Sequence, residues 1–334
     1  MGITDISVAG KCVQEVDAIE YINDSQIDTA VQALVAAAED ARKNEGPDDP
    51  DVGAREHVES VPGSYDWIPE RFERFKYRWP TFPRSMAEHL GEARRQIDSG
   101  QLSDIDSVNT AVARWTGRTR DAFYENFLSP FPDAVTRQQA LFVELQSALY
   151  AYEAALRQSR QLAKKITEET IKALEASGGV FGTSAEEGKL AIAVAAAVAG
   201  VIGAAATGGG SLGVTFAIIG GVGGTAPAVV DLVNAEEKPK TIKGDTVAGI
   251  LESMQSALDD LWEDMRKAEK GIAGYLTATI EEVNGYIKSG DKKVKRTLLP
   301  HEPDDKTPDL TDADNDDDVS VDPGTGDFRV REPA

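Results

Sequence analysis

Residues 190 to 230 contain no Asp, Glu, Lys, Arg or His, and the run is bounded by Lys189 and Asp231. A helix lying on the surface of a bundle needs a polar face. A run this long without one has to be hidden by neighbouring helices, by another chain or by a membrane. Leu190 to Ala206 is seventeen residues of Ala, Val, Ile and Leu with Gly200 and Gly203. As a helix it would be about 26 Å long, at the lower limit for a bilayer core. Ser184 and Glu187 stand ahead of it in capping-box spacing. Thr207 to Ser211 form a glycine-rich turn, and Leu212 to Val230 supply a second apolar half with Phe216 and Ile218. The expected shape is a helical hairpin over 184–233, with Val198 in one half and Ile218 in the other. Gly209 and Gly213, and again Gly220 and Gly224, have the small-xxx-small spacing that allows helices to approach closely in lipid. Ala- and Gly-rich helices also pack inside bundles, so a hairpin buried as core is the alternative.

The rest of the chain reads as helix. No run of alternating β-branched residues is punctuated by Asn-Gly or Asp-Gly, whereas helical periodicity recurs from residue 25 onward. The expected fold class is all-α, an elongated bundle of long helices with the hairpin inserted between the two longest. A helix is expected over Ser25–Lys43, followed by an acidic linker at 46–52. The Pro- and aromatic-rich stretch 61–83, with Trp67, Phe72, Phe75, Tyr77, Trp79 and Phe82, should pack as a cap on the helices, giving an N-terminal unit over 1–83. Within a bundle over 84–299, helices are expected at Arg84–Ser99 and at Ser103–Trp115, the second started by a Ser103/Asp106 capping box. A short piece at Arg118–Leu128 is broken by Pro130 and Pro132, and Asp133 caps a long helix over Ala134–Ala176 that Gly178 and Gly179 end.

Two seams run along the longest helices. In the first, Phe142, Leu145, Leu149, Tyr152, Leu156, Ala163 and Ile166 fall at steps of three and four, with Ser159 the polar member. In the second, within Asp245–Lys288, Val247, Leu251, Met254, Leu258, Leu261, Met265, Ala268, Ile272 and Tyr275 hold a 3.5-residue period, the spacing of a coiled-coil seam. The two helices are of matched length and are expected to lie antiparallel with their seams facing.

The formal net charge is -22, and residues 301–334 hold twelve acidic residues against Lys306, Arg329 and Arg331. That tail, taken as 300–334, is expected to be disordered. So acidic a surface repels phosphate backbones and argues against nucleic acid as a partner, and no basic, aromatic-interleaved patch opposes that reading. The single cysteine, Cys12, excludes an intramolecular disulfide framework. Met1–Val16 lacks the basic region and apolar run of a conventional secretory signal.

Trp115-Thr116-Gly117 is a W-x-G tripeptide at a helix break between two amphipathic helices. With Ala113-Arg114 before it and Ala122-Phe123-Tyr124-Glu125-Asn126-Phe127-Leu128-Ser129-Pro130-Phe131-Pro132 after it, the chain over about 103–176 resembles the WXG100 (ESX-type) superfamily tied to type VII secretion. The resemblance implies that Trp115 and Gly117 form the turn of a helical hairpin and that the protein is a secretion substrate or partner. Small members carry a Y-x-x-x-D/E export signal, and no Tyr of this chain has Asp or Glu four residues later. In shape, long helices with a hidden hydrophobic hairpin, the chain is also similar to α-helical pore-forming toxins.

Catalytic chemistry has little to draw on. His57, His89 and His301 are scattered, and no nucleophile elbow, Walker loop or H-E-x-x-H occurs. Asp312, Asp314, Asp316 and Asp318 alternate like a calcium loop, but Asp317 stands where Gly is needed and Pro323 where the closing Glu is needed. The expectation is a non-enzymatic protein with no cofactor, metal or small-molecule substrate. It would form a homo-oligomer or join a helical partner, and would meet a membrane. It would be made in the cytoplasm and either exported by a non-classical route or held at a membrane.

Overall fold

One helix organises the chain. The computed structural model describes residues 6–44, 65–76, 78–177, 189–192, 194, 197, 198, 201, 238–288, 319–321 and 328–330. In chain order these give α1 (Ile6–Asp17), α2 (Asp24–Asn44), α3 (Trp67–Lys76), α4 (Thr81–Val112), α5 (Arg118–Phe123), a π-helical turn (Tyr124–Leu128) and α6 (Phe131–Ser177). After them come β1 (Lys189–Ile192), β2 (Lys238–Thr241), α7 (Val247–Lys288), β3 (Val319–Val321) and β4 (Phe328–Val330). The fold class is all-α, as expected; the strands form two short antiparallel pairs, β1 with β2 and β3 with β4.

α1, α2, α3, α4 and α7 all pack on α6. A helix enclosed in this way has no single apolar stripe, and α6 buries Val143, Ala148, Tyr150, Ala151, Ala154, Ala155 and Leu156 in succession around its circumference. The expected seam therefore holds only in the C-terminal half, where Leu156, Ser159, Ala163 and Ile166 are buried. Phe142, Leu149 and Tyr152 are half-buried, and Leu145 is 38% exposed. In α7 every member of the seam, from Val247 to Tyr275 and including Leu251, Met254, Leu258, Leu261 and Met265, is buried. The two helices run antiparallel: Thr279 near the end of α7 donates to Glu144 near the start of α6 at 3.1 Å. Further along both helices, Glu269 pairs with Arg78, whose carbonyl accepts from Arg160 at 2.9 Å.

The buried polar side chains of α6 reach partners on several helices. Ser147, Thr167 and Thr170 donate to carbonyls one turn back on α6. Gln146 Nε2 donates to the Ala87 carbonyl of α4 at 2.8 Å. Glu153, fully buried, accepts from Arg84 of α4 at 2.9 Å and from Arg157 at 2.8 Å. Arg84 also pairs with Asp17 of α1 at 2.6 Å. Arg160 pairs with Asp24 at 2.7 Å and donates to the carbonyls of Ile22, Lys76 and Arg78. One guanidinium thus ties the α1–α2 turn and the α3–α4 corner to α6. The charges at 153, 157 and 160, inside an alanine-rich stretch, were the sequence signal of this network.

Several boundaries differ from expectation. α1 precedes the first expected helix and docks Cys12 and Val16 into the core. α2 begins with a reciprocal box in which Gln26 N donates to Asn23 Oδ1 and Asn23 N to Gln26 Oε1, each at 2.9 Å. The aromatic stretch contains α3, which buries Ile68, Phe72 and Phe75. Phe75 meets Trp262 of α7 edge-on at 5.9 Å, as a cap would. α4 runs without interruption from Thr81 to Val112, so Ser103 and Asp106 lie inside a helix rather than starting one. α6 begins at Phe131, which puts Asp133 within its first turn rather than at a cap. Pro132 is tolerated there because the first turn has no use for its missing N–H. In the acidic tail, Val319–Val321 pairs with Phe328–Val330 where no regular structure was expected. Ser184, Glu187, Gly178, Gly179 and the linker at 46–52 lie outside the described residues.

Candidate functional site

Two places bring the sequence-singled residues together. The first is the turn after α4. Gly117 has φ +94° and ψ 177°, a region open essentially to glycine alone. This accounts for the glycine of W-x-G: the chain reverses there, and the Gly117 carbonyl accepts the Asp121 N–H at 3.3 Å as α5 begins. Trp115 is 47% exposed. Its ring lies 5.9 Å from Phe123, Phe123 stacks on Phe127 at 5.4 Å, and Phe127 meets Phe131 at 5.7 Å. This aromatic ladder packs on Ile105, Val112 and Leu128, a small core separate from the main one. The π-helical turn supports it, with Ser129 N donating to the Tyr124 carbonyl at 2.8 Å.

Around the ladder stand three arginines. Arg120 covers the Tyr124 ring at 5.4 Å and pairs with Asp121 at 2.9 Å. The side chains of Arg114 and Arg118 are exposed and have no hydrogen-bond or ion-pair partner among the described residues. Tyr124 is 44% exposed. The arginines are interleaved with aromatic residues, a pattern not expected from the sequence. It was hidden there by the acidic average of the chain.

The second place is the entry to the charge-free run. Leu190 does not start a helix; it lies in β1, paired with Lys240 of β2. The reason is a strand partner supplied by residues 238–241, which the local Lys-Leu-Ala-Ile sequence does not announce. β1 and β2 bring residues 192 and 238 side by side, so the chain between them leaves and returns at one point. Val194, Ala197, Val198 and Val201 are helical, and Val194, Val198 and Val201 are buried in the main core. Val194 N donates to Asp264 Oδ2 of α7 at 2.8 Å, a carboxylate meeting the start of a helical segment in the manner of a cap. The Cys12 thiol faces the Val201 carbonyl at 3.7 Å and Ser147 Oγ at 4.0 Å. Burial pushes that thiol from 9.0 up to about 11, outweighing the hydrogen bond with Ser147 that would favour a thiolate. Gly200, Gly203, Gly209, Gly213, Phe216, Ile218, Gly220 and Gly224 lie outside the described residues.

Among the described residues no helix is long and apolar enough to cross a membrane, and no group of His, Cys, Asp and Glu could hold a metal ion. Comparison with protein-family models, with curated proteins and with solved structures finds no match for this chain.

Proposed function

We propose that this chain is a non-enzymatic helical interaction protein, of the WXG type, that assembles with other chains and meets a membrane through the Ala/Gly-rich, charge-free run at 190–230. The observation that carries this reading is the β1–β2 pair. It brings residues 192 and 238 together, so the stretch that contains the charge-free run leaves and returns at one neck beside a bundle whose longest described helices pair with each other. A segment anchored at that neck, and at its start by Val194, Val198 and Val201, can change its surroundings without unpairing α6 from α7. The start of the run, with Val194, Val198 and Val201 buried, is covered as a water-soluble state requires.

The native cysteine is the reporter. Cys12 touches the Val201 carbonyl and is fully buried, so a thiol reagent should leave it unmodified in buffer and label it once the 194–201 segment lifts away. Adding vesicles across a pH series should expose Cys12 while helicity persists, and release of a trapped dye would distinguish a pore from an anchor. Sedimentation would give the mass of the assembly. The burial of the same three valines favours a second reading, a helical scaffold in which the run is core. Cys12 protected at every pH, with sealed vesicles throughout, would decide for the scaffold.

A further inference from the structure

Residues 107–120 contain Arg114, Arg118 and Arg120 and no Asp or Glu, in a chain of formal charge -22. We infer that the turn joining α4 to α5 is a docking surface for an anionic lipid membrane, with Arg114 and Arg118 on lipid phosphates and Trp115 and Tyr124 in the interfacial layer. Three observations lead there. The side chains of Arg114 and Arg118 are exposed and have no partner among the described residues, whereas Arg74, Arg78, Arg84, Arg157 and Arg160 are all engaged in ion pairs. A free guanidinium fork fits phosphate in a bidentate manner, and its stem can lie along apolar surface while the head stays in water. Trp115 and Tyr124 leave nearly half their surface to solvent, and amphipathic rings of this kind favour the headgroup level of a bilayer. The aromatic ladder behind Trp115 holds that ring in place rather than leaving it on a loose loop.

The acidity of the chain does not forbid the contact, because screening makes it local. Asp121 is held by Arg120, and Glu125, exposed beside Tyr124, leaves residues 114–125 with three arginines against two carboxylates. Asp104 and Asp106 lie eight or more residues back along α4, about 12 Å from Arg114, which exceeds the ~8 Å Debye length of physiological salt. The surface is also placed to act with the charge-free run. From Val194 beside Asp264 to Val201 beside Cys12 and Ser147, the described part of that run advances toward the N-terminal end of α6. That is the end on which the ladder stands. The inference uses the membrane reading above only for this orientation; docking requires no insertion.

The test is co-sedimentation of the full chain with phosphatidylcholine vesicles, with and without phosphatidylglycerol, at low and at physiological salt. Binding should require phosphatidylglycerol and weaken as salt rises. The Arg114→Gln/Arg118→Gln variant should keep the thermal midpoint and lose roughly thirty-fold in partitioning, about fivefold for each arginine. Trp115→Ser should lower partitioning at both salt levels. Unchanged partitioning of the double-arginine variant would overturn the inference, as would equal binding to pure phosphatidylcholine. Displacement of the protein from vesicles by polyglutamate at matched charge concentration would also overturn it, showing that the turn takes an acidic polypeptide instead. Cys12 labelling reads a different event. Docking without Cys12 exposure supports this surface and removes the insertion reading; Cys12 exposure with partitioning indifferent to both arginines does the reverse.

Discussion

α6 and α7 are the two longest helices, 47 and 42 residues, and they pack against each other, yet their sequences bury apolar residues in different ways. α7 lies at the side of the bundle and buries one stripe, so its 3.5-residue period maps onto the buried face residue by residue. α6 lies inside and has neighbours on most sides. Small residues such as Ala151, Ala154 and Ala155 let those neighbours approach, and Glu153 and Arg160 are buried because other helices bring partners to them. A sharp apolar period thus reports a helix with one neighbouring face, whereas a blurred one on a long helix reports a hub.

Four substitution experiments would break or sharpen that contrast. Leu258→Asp places an unpaired carboxylate in the fully buried α7 stripe and should cost on the order of 4 kcal/mol or more. Hydrogen exchange should then quicken in α6 as well as in α7; a response confined to α7 would mean that α6 does not depend on it. Leu261→Ala should cost about 2–5 kcal/mol in urea unfolding, while Leu145→Ala, at a position 38% exposed, should stay within about 1 kcal/mol. Equal losses would restore the seam that the sequence suggested for α6.

Cys12 tests the side of α6 covered by α1. Its thiol is raised from 9.0 to about 11 in the folded chain, so the folded state holds its proton more tightly than the unfolded state does. The associated stability is complete below pH 9 and is lost as pH rises toward 11, by up to about 3 kcal/mol. Relative to Cys12→Ala, the wild-type urea midpoint should fall across that window; parallel curves would place the thiol in contact with water. Substitutions at two glycines test the backbone alone. Gly117→Ala should lower stability by about 1–3 kcal/mol through its φ of +94°. Gly10→Ala, in the exposed part of α1 where an added Cβ meets nothing within 4 Å, should raise it by roughly 0.5–1 kcal/mol. Thermal midpoints moving in the same direction for both would remove the backbone explanation for the W-x-G turn.

The same physics explains what was legible beforehand. The all-α class and the buried stripe of α7 followed from residue periods alone. α1 escaped notice because it is short and its buried face rests on Cys12 and Val16, too few residues to set a period. Lys-Leu-Ala-Ile of β1 reads as helix because it leads into an alanine-rich run, and its strand partner lies almost fifty residues away. The continuity of α4 ran against a good local cap signal at Ser103, which the surrounding helix overrode. At the candidate sites, Trp115 and Gly117 could be singled out as a turn from sequence. The exposure of Arg114 and Arg118 and the burial of Val194, Val198 and Val201 depend on which helices come to lie beside them.

The contact between Cys12 and Val201 joins residues 189 apart in sequence, and Arg160 reaches carbonyls as far back as Ile22. On a ribosome this separation becomes time. At about 5–20 residues per second, roughly 160 residues of synthesis separate the end of α1 from the end of α6, an interval on the order of ten seconds or more. Until then α1 and α2 have no finished α6 to cover Val16, Ile22 and Ile27. For a protein built almost wholly of helices, which ordinarily fold from local contacts, the slow event is the arrival of its hub.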